Sequence, residues 1–135
     1  MKKKYLEAFM DMTERFGQTS ESKRLKVGAS LVKNGAIIAL GVNGTPSGWP
    51  TNDCEDEEGN TQWFVQHAES NCLSKMITST ESAVGAIMLV SHSPCKSCCI
   101  KIATAGIREL YYRHCYRDLD GLDYLRQQGI QVEQI

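Results

Sequence analysis

Apolar side chains at Tyr5, Phe9, Met12 and Phe16 recur every three or four positions, the period of a helix with one face turned inward. The spacing predicts an amphipathic helix over residues 3–19 with that stripe in the core. The pattern then changes to two β-rich runs, Val27 to Val32 and Ala36 to Val42, on either side of Asn34-Gly35. That dipeptide accepts the positive φ angles of a two-residue turn, so the runs are expected to pair as a hairpin. From Asn43 to Gln66 no period is evident, and Gly, Pro, Asn and acidic residues abound. So long an irregular segment inside a compact domain is uncommon and often functional. His67 opens a further expected helix, with Cys72, Leu73, Met76 and Ile77 on one face. Ala86 to Val90 is a continuous apolar run, the mark of a strand buried on both sides. Cys95 to Ala105 reads as a helix stopped by Gly106, and Glu109 to Arg113 as a strand. Asp120 to Gln128, closed by Gly129, is a last helix, and Ile130 to Ile135 a last strand.

The resulting order, α-β-β-α-β-α-β-α-β, is a hairpin followed by crossover units. Right-handed crossovers imply a mostly parallel sheet with helices on both faces. No repeat, linker or low-complexity segment interrupts it, and 135 residues suit one domain, 1–135, with a sizeable core.

Composition narrows the function. Fifteen basic against 16 acidic residues give a net charge of −1, without the basic surplus expected of a nucleic-acid binder. The start, Met-Lys-Lys-Lys-Tyr-Leu-Glu, has no apolar signal run, and no stretch suits a membrane span. A cytoplasmic protein is expected, in which the six cysteines stay reduced rather than pairing as disulfides.

Two motifs carry the chemistry. His67-Ala68-Glu69 is followed, 28 positions after the histidine, by Pro94-Cys95-Lys96-Ser97-Cys98. Together they match His-x-Glu with Pro-Cys-x-x-Cys, the signature of zinc-dependent deaminases. His67, Cys95 and Cys98 make three ligands for one Zn2+, which leaves the fourth position of a tetrahedral ion for water. Glu69, two residues from the imidazole, is the candidate proton carrier. Both segments are expected at helix N-termini, where unpaired N–H groups favour thiolate, and Pro94 suits a first turn because it has no N–H to satisfy. The competing reading is a closed structural knot with Cys99 as fourth ligand. Adjacent cysteines rarely reach one ion, however, and Cys99 shares a helical face with Ile102 and Ala103, which suits core packing.

With these residues the chain resembles the cytidine deaminase superfamily, and within it the deoxycytidylate (dCMP) deaminases. Lys26-Val27-Gly28-Ala29, Gly41-Val42-Asn43-Gly44-Thr45-Pro46-Ser47-Gly48, Ala105-Gly106-Ile107, Tyr116-Arg117 and Gly129-Ile130 extend the likeness over nearly the whole chain. The resemblance implies a three-layer α/β/α sandwich around a mixed five-stranded sheet. It also implies hydrolysis of dCMP to dUMP and ammonia, with dCTP as a further candidate substrate. His67, Cys95 and Cys98 would bind the zinc and Glu69 would act as acid and base. Asn43, with Thr45 in the same segment, would meet the sugar or base, and the backbones of Ala68, Ser93 and Pro94 would line the pyrimidine. Ser22, Arg24 and Lys26 before the first strand, and Tyr116 and Arg117 after the fourth, are candidates for a phosphate cradle. A homohexamer with dCTP and dTTP as effectors is the family's habit, and Mg2+ would enter only alongside a nucleoside triphosphate.

Two features stand apart. Asp53, Glu55, Asp56, Glu57 and Glu58 would repel phosphate if they faced inward, so a solvated loop tip is expected. Cys54 with His92 or His114 could build a second zinc site, but no tight spacing supports it. The runner-up is a tRNA adenosine deaminase, which shares both metal motifs; against it stand the Asn43-Gly44-Thr45-Pro46 segment and the missing basic surplus. Free-nucleoside cytidine deaminases usually place Cys where His67 stands. A non-catalytic zinc or nucleotide-binding module is the remaining alternative, and a carboxylate at Glu69 has no use in one.

Overall fold

The computed structural model describes residues 1–116 and 118–135; Arg117, one of the expected phosphate ligands, lies outside the described residues. The chain runs α1 (Lys3–Gly17), β1 (Gly28–Lys33), β2 (Ala36–Val42), α2 (Ala68–Ser74), a short 3-10 turn (Lys75–Ile77), β3 (Ile87–His92), α3 (Lys96–Thr104), β4 (Glu109–His114), α4 (Asp120–Gln127) and β5 (Gln131–Gln134). Every element expected from the pattern is present, with ends moved by one or two residues.

Asn34 and Gly35 have φ of 52° and 76°, and Lys33 pairs with Ala36 across them, so the hairpin turn forms as its chemistry requires. The sheet order is β2-β1-β3-β4-β5. β1 is antiparallel to both β2 and β3, while β3, β4 and β5 are mutually parallel neighbours. β2 through β5 therefore run one way, as crossovers demand, but β1 lies between β2 and β3. The sheet is mixed rather than mostly parallel because this one inserted strand turns two of the pairings antiparallel.

The run Ile87 to Val90 of β3 is apolar because helices cover both faces. Ile87 and Leu89 join Val32 and Tyr111 against Leu6 and Met10 of α1. Met88 and Val90 join Ala29, Leu31 and Leu110 against Ala68 and Cys72 of α2, Cys99 and Ile102 of α3, and Leu122 and Leu125 of α4. The architecture is thus an α/β/α sandwich, α1 on one side and α2, α3 and α4 on the other.

The inward face of α1 corrects the sequence reading. Leu6, Met10, Thr13 and Gly17 are buried, whereas Tyr5 and Met12 stay 49% and 47% exposed. Backbone proximity sets this rotation: a Cβ on Gly17 would lie 2.7 Å from the Gly28 nitrogen, and one on Gly28 would lie 2.2 Å from the Thr13 carbonyl oxygen. Only two glycines let helix and strand approach so closely. The hydroxyls of Thr13 and Ser30 then meet at 2.6 Å beneath that contact.

No helix among the described residues is long and apolar enough to cross a membrane.

Candidate active site

β2 leads into the irregular segment 43–66, which contains only the isolated bridges Gly44–Gln66 and Glu55–Thr61 among its described strand pairings. It returns the chain to His67, the residue that caps α2. Cys95 caps α3 in the same way, so both expected helix openings are found, each one residue later than expected. Pro94 precedes the cap rather than standing in the first turn. Gly41 brings β2 against α2: a Cβ there would fall 2.6 Å from the Cys72 nitrogen and 2.7 Å from the Ala68 carbonyl oxygen. That contact holds the helix bearing Glu69 against the sheet.

The two caps face each other. His67 Nδ1 lies 3.3 Å from Cys98 Sγ and 3.5 Å from Cys95 Sγ, and all three donor atoms lie within 4.8 Å of one another. Tetrahedral zinc with ordinary Zn–N and Zn–S lengths separates its N and S donors by about 3.6 Å. The set therefore fits Zn2+ by identity and by spacing. No other such cluster of metal donors occurs among the described residues, so Cys54 is not gathered with His92 or His114. Cys99 is fully buried in the core beside Ile102, its Sγ near the Pro94 carbonyl oxygen, and does not complete a knot.

Glu69 is 4% exposed and hydrogen-bonded with Cys98. Burial pushes its carboxyl above the ordinary carboxylate range, and the Cys98 contact only partly opposes this. Burial likewise pushes up the Cys98 thiol, helped by the negative charge of Glu69. At Cys95, burial is outweighed by hydrogen bonds from the Ser97 side chain and Cys98, so its thiol falls below the usual value. Two sulfurs, an imidazole nitrogen and a carboxyl crowded together form a donor set that suits a positive ion.

A cavity of about 120 Å³ opens beside this cluster, lined by Ser22, Arg24, Asn43, His67, Ala68, Glu69, Ser93, Cys95 and Tyr116 among others. Lys26, Thr45 and Pro94 do not line it. Lys26 is exposed between Leu25 and Val27, both of which do line the wall, as side-chain alternation along an extended segment requires. Asn43 spends much of its amide on the fold: it accepts from the Val27 N–H at 2.9 Å and donates to the Leu25 carbonyl at 2.7 Å. One amide hydrogen and one lone pair remain for a ligand. Ser93 Oγ donates to the Tyr116 carbonyl and accepts from the Tyr116 N–H at 2.8 Å, fixing the strand ends around the cavity.

His92, Val65 and Thr61 also line the wall, and neither motif singles them out for that place. Thr61 and Val65 come from the aperiodic segment, which offers no pattern to place them. The acidic stretch also departs from expectation: Glu55 is half-buried and faces residues 22–24, while Asp53, Asp56, Glu57 and Glu58 are exposed.

Residues 3–114 match the family model of the cytidine and deoxycytidylate deaminase zinc-binding region. The chain belongs to this family. The dCMP deaminase of cyanophage S-TIM5, solved with dCMP and dUMP, superposes with a TM-score of 0.96 at 52% identity, covering 100% of this chain and 99% of that one. The deoxycytidylate deaminase of Enterobacteria phage T4 is 31% identical over 85% of this chain and 81% of its own. The ComE operon protein 2 of Bacillus subtilis is 32% identical over 94% of this chain and 69% of its own. The cluster of His67, Cys95 and Cys98 lies within the residues matched by this zinc-binding model.

Proposed function

We propose that this protein is a zinc-dependent deoxycytidylate deaminase that hydrolyses dCMP to dUMP and ammonia, with residues 1–135 acting as one domain. The observation that carries the reading is the convergence of His67, Cys95 and Cys98 beside a buried Glu69 at the wall of a cavity, in a chain 52% identical to a dCMP deaminase. His67, Cys95 and Cys98 would hold the zinc, which when bound would lower the pKa of water from about 16 to about 7. Glu69 takes a proton from the attacking water and gives it to the pyrimidine N3 as the oxygen bonds to C4. It then carries the proton of the C4 hydroxyl to the amino group, which leaves as ammonia. Burial raises the Glu69 carboxyl above its ordinary value, favouring the protonated form. Asn43 offers its remaining amide hydrogen to the sugar or base, and the Ala68 and Ser93 backbones bound the ring with Tyr116. Arg24 meets the phosphate as a planar, multidentate donor, with Arg117 as the second candidate.

We further propose a cytoplasmic homohexamer regulated by dCTP and dTTP, in which Mg2+ appears only with a triphosphate. Exposed Ile77, Val84 and Ile100 supply apolar surface for assembly. The tRNA deaminase alternative is not favoured, since a net charge of −1 suits a small nucleotide better than a polyanion.

Ammonia release is measured across dCMP, dCTP, cytidine and adenosine nucleotides, with dCMP expected to dominate. Strong turnover of free cytidine with none of dCMP overturns the nucleotide reading.

A further inference from the structure

One carboxylate oxygen of Glu55 collects three donors at the rim of the cavity. The Ser22 hydroxyl donates to it at 2.9 Å, the Lys23 N–H at 2.9 Å and the Arg24 N–H at 3.1 Å. Three converging donors on one oxygen make an anion nest. Here the chain's own side chain fills the nest. Those hydrogen bonds outweigh the effect of partial burial and hold the Glu55 carboxyl below its ordinary value.

The hydrogen-bond inventory has a consequence. A hydroxyl carries one proton, and that of Ser22 is given to Glu55; the two backbone N–H groups are spent on it as well. What remains at this rim for an anion is the Arg24 side chain, the only Lys or Arg that lines the cavity among the described residues. Its Nη1 donates to Thr61 Oγ1 at 3.3 Å, leaving four of the five guanidinium hydrogens unspent on that contact. Glu55 and Thr61 are bridged to each other across a small antiparallel pair. The same hairpin therefore grips Arg24 at both ends, its backbone through Glu55 and its guanidinium through Thr61. Asp56 stiffens the hairpin by accepting from the N–H groups of Glu58 and Asn60, each at 2.9 Å.

We propose that Glu55 is a positioning residue that sets affinity for the substrate's phosphate by locking the 22–24 segment so that Arg24 faces the cavity. The negative charge costs some phosphate attraction, but an arginine ordered before binding loses less freedom on meeting its ligand. The inference rests on the phosphate-bearing substrate proposed above.

Steady-state kinetics of Glu55→Ala, Glu55→Gln, Arg24→Ala and the Glu55→Ala/Arg24→Ala double variant test it. For Glu55→Ala, KM for dCMP is expected to rise about tenfold with kcat within about twofold, the scale of a lost charge-assisted contact. The inhibition constant of deoxyuridine, which has no phosphate, should not change. Glu55→Gln keeps an oxygen for the three donors, so its KM should rise less than that of Glu55→Ala. The double variant should be no worse than Arg24→Ala alone, because both act through one group. A fall in KM in both Glu55 variants would mean that the carboxylate competes with phosphate, which overturns the proposal. A loss of kcat, or an equal weakening of deoxyuridine, also overturns it by showing a general scaffold effect. If Arg24→Ala raises KM while neither Glu55 variant does, the role of Glu55 fails and the phosphate reading stands. If Arg24→Ala changes nothing, both fail.

Discussion

Glu69, the proton carrier of the proposed reaction, is buried, raised above the ordinary carboxylate value and in contact with the Cys98 thiol. Replacing it by Gln keeps the shape and removes the proton, so zinc content should persist while kcat falls by about 10² to 10⁴. Zinc analysis beside an ammonia assay checks this, and near-normal turnover in Glu69→Gln would remove Glu69 from the mechanism. At this scale the motif residues were legible: type and spacing alone singled out His67, Glu69, Cys95 and Cys98. Other roles were not. Asn43 is a wall residue whose amide also ties residues 25 and 27 together. The charge pattern suggests a solvated tip at Glu55, whereas the side chain faces the rim. Nothing in the local pattern separates Glu55 from Asp56 or Glu57; only the fold brings residues 22–24 to it.

Among the elements, α1 shows why a periodic stripe finds a helix more readily than its inward face. Tyr5, Phe9, Met12 and Phe16 form a sound amphipathic pattern, yet the Gly17–Gly28 approach turns the neighbouring stripe inward. The helix is also tied to β4 by charge. Arg113 meets Glu14 at 2.7 Å and Asp11 at 2.8 Å, and His114 Nε2 lies 2.6 Å from Glu14. The Arg113 hydrogen bond, helped by His114 and opposed by burial, lowers the Glu14 carboxyl from its ordinary 4.5. A carboxyl lowered on folding stabilises the native state above its unfolded value, and this is lost as pH falls through the lower folded value. Glu14→Gln should therefore cost about 1 kcal/mol at pH 7, with the gap from the parent closing below pH 4.5. Urea melts at pH 7 and pH 3 measure this, and an undiminished gap at pH 3 would refute it.

For the whole molecule, the three candidate zinc ligands come from the openings of two helices on the same side of the sheet, so a bound ion is expected to brace α2 against α3. Removing it with a chelator should abolish turnover and lower Tm by several degrees. Ligand linkage at a thousandfold excess over Kd amounts to about 4 kcal/mol. Calorimetry with metal analysis should give one zinc per chain, and activity that survives complete zinc removal would sink the hydrolytic scheme.

Periodicity, turn chemistry and ligand spacing are local, so the chain alone determined the order of elements, the hairpin at Asn34-Gly35, the two helix openings and the metal-binding trio. The tertiary structure decided what depends on distant backbones meeting: β1 inserted between β2 and β3, the rotation of α1, the closeness of β2 to α2 at Gly41, and the inward turn of Glu55. The physical reason is that a side chain's period reveals which elements form, whereas close backbone approach and hydrogen-bond saturation, which choose among faces and partners, exist only once the layers are assembled.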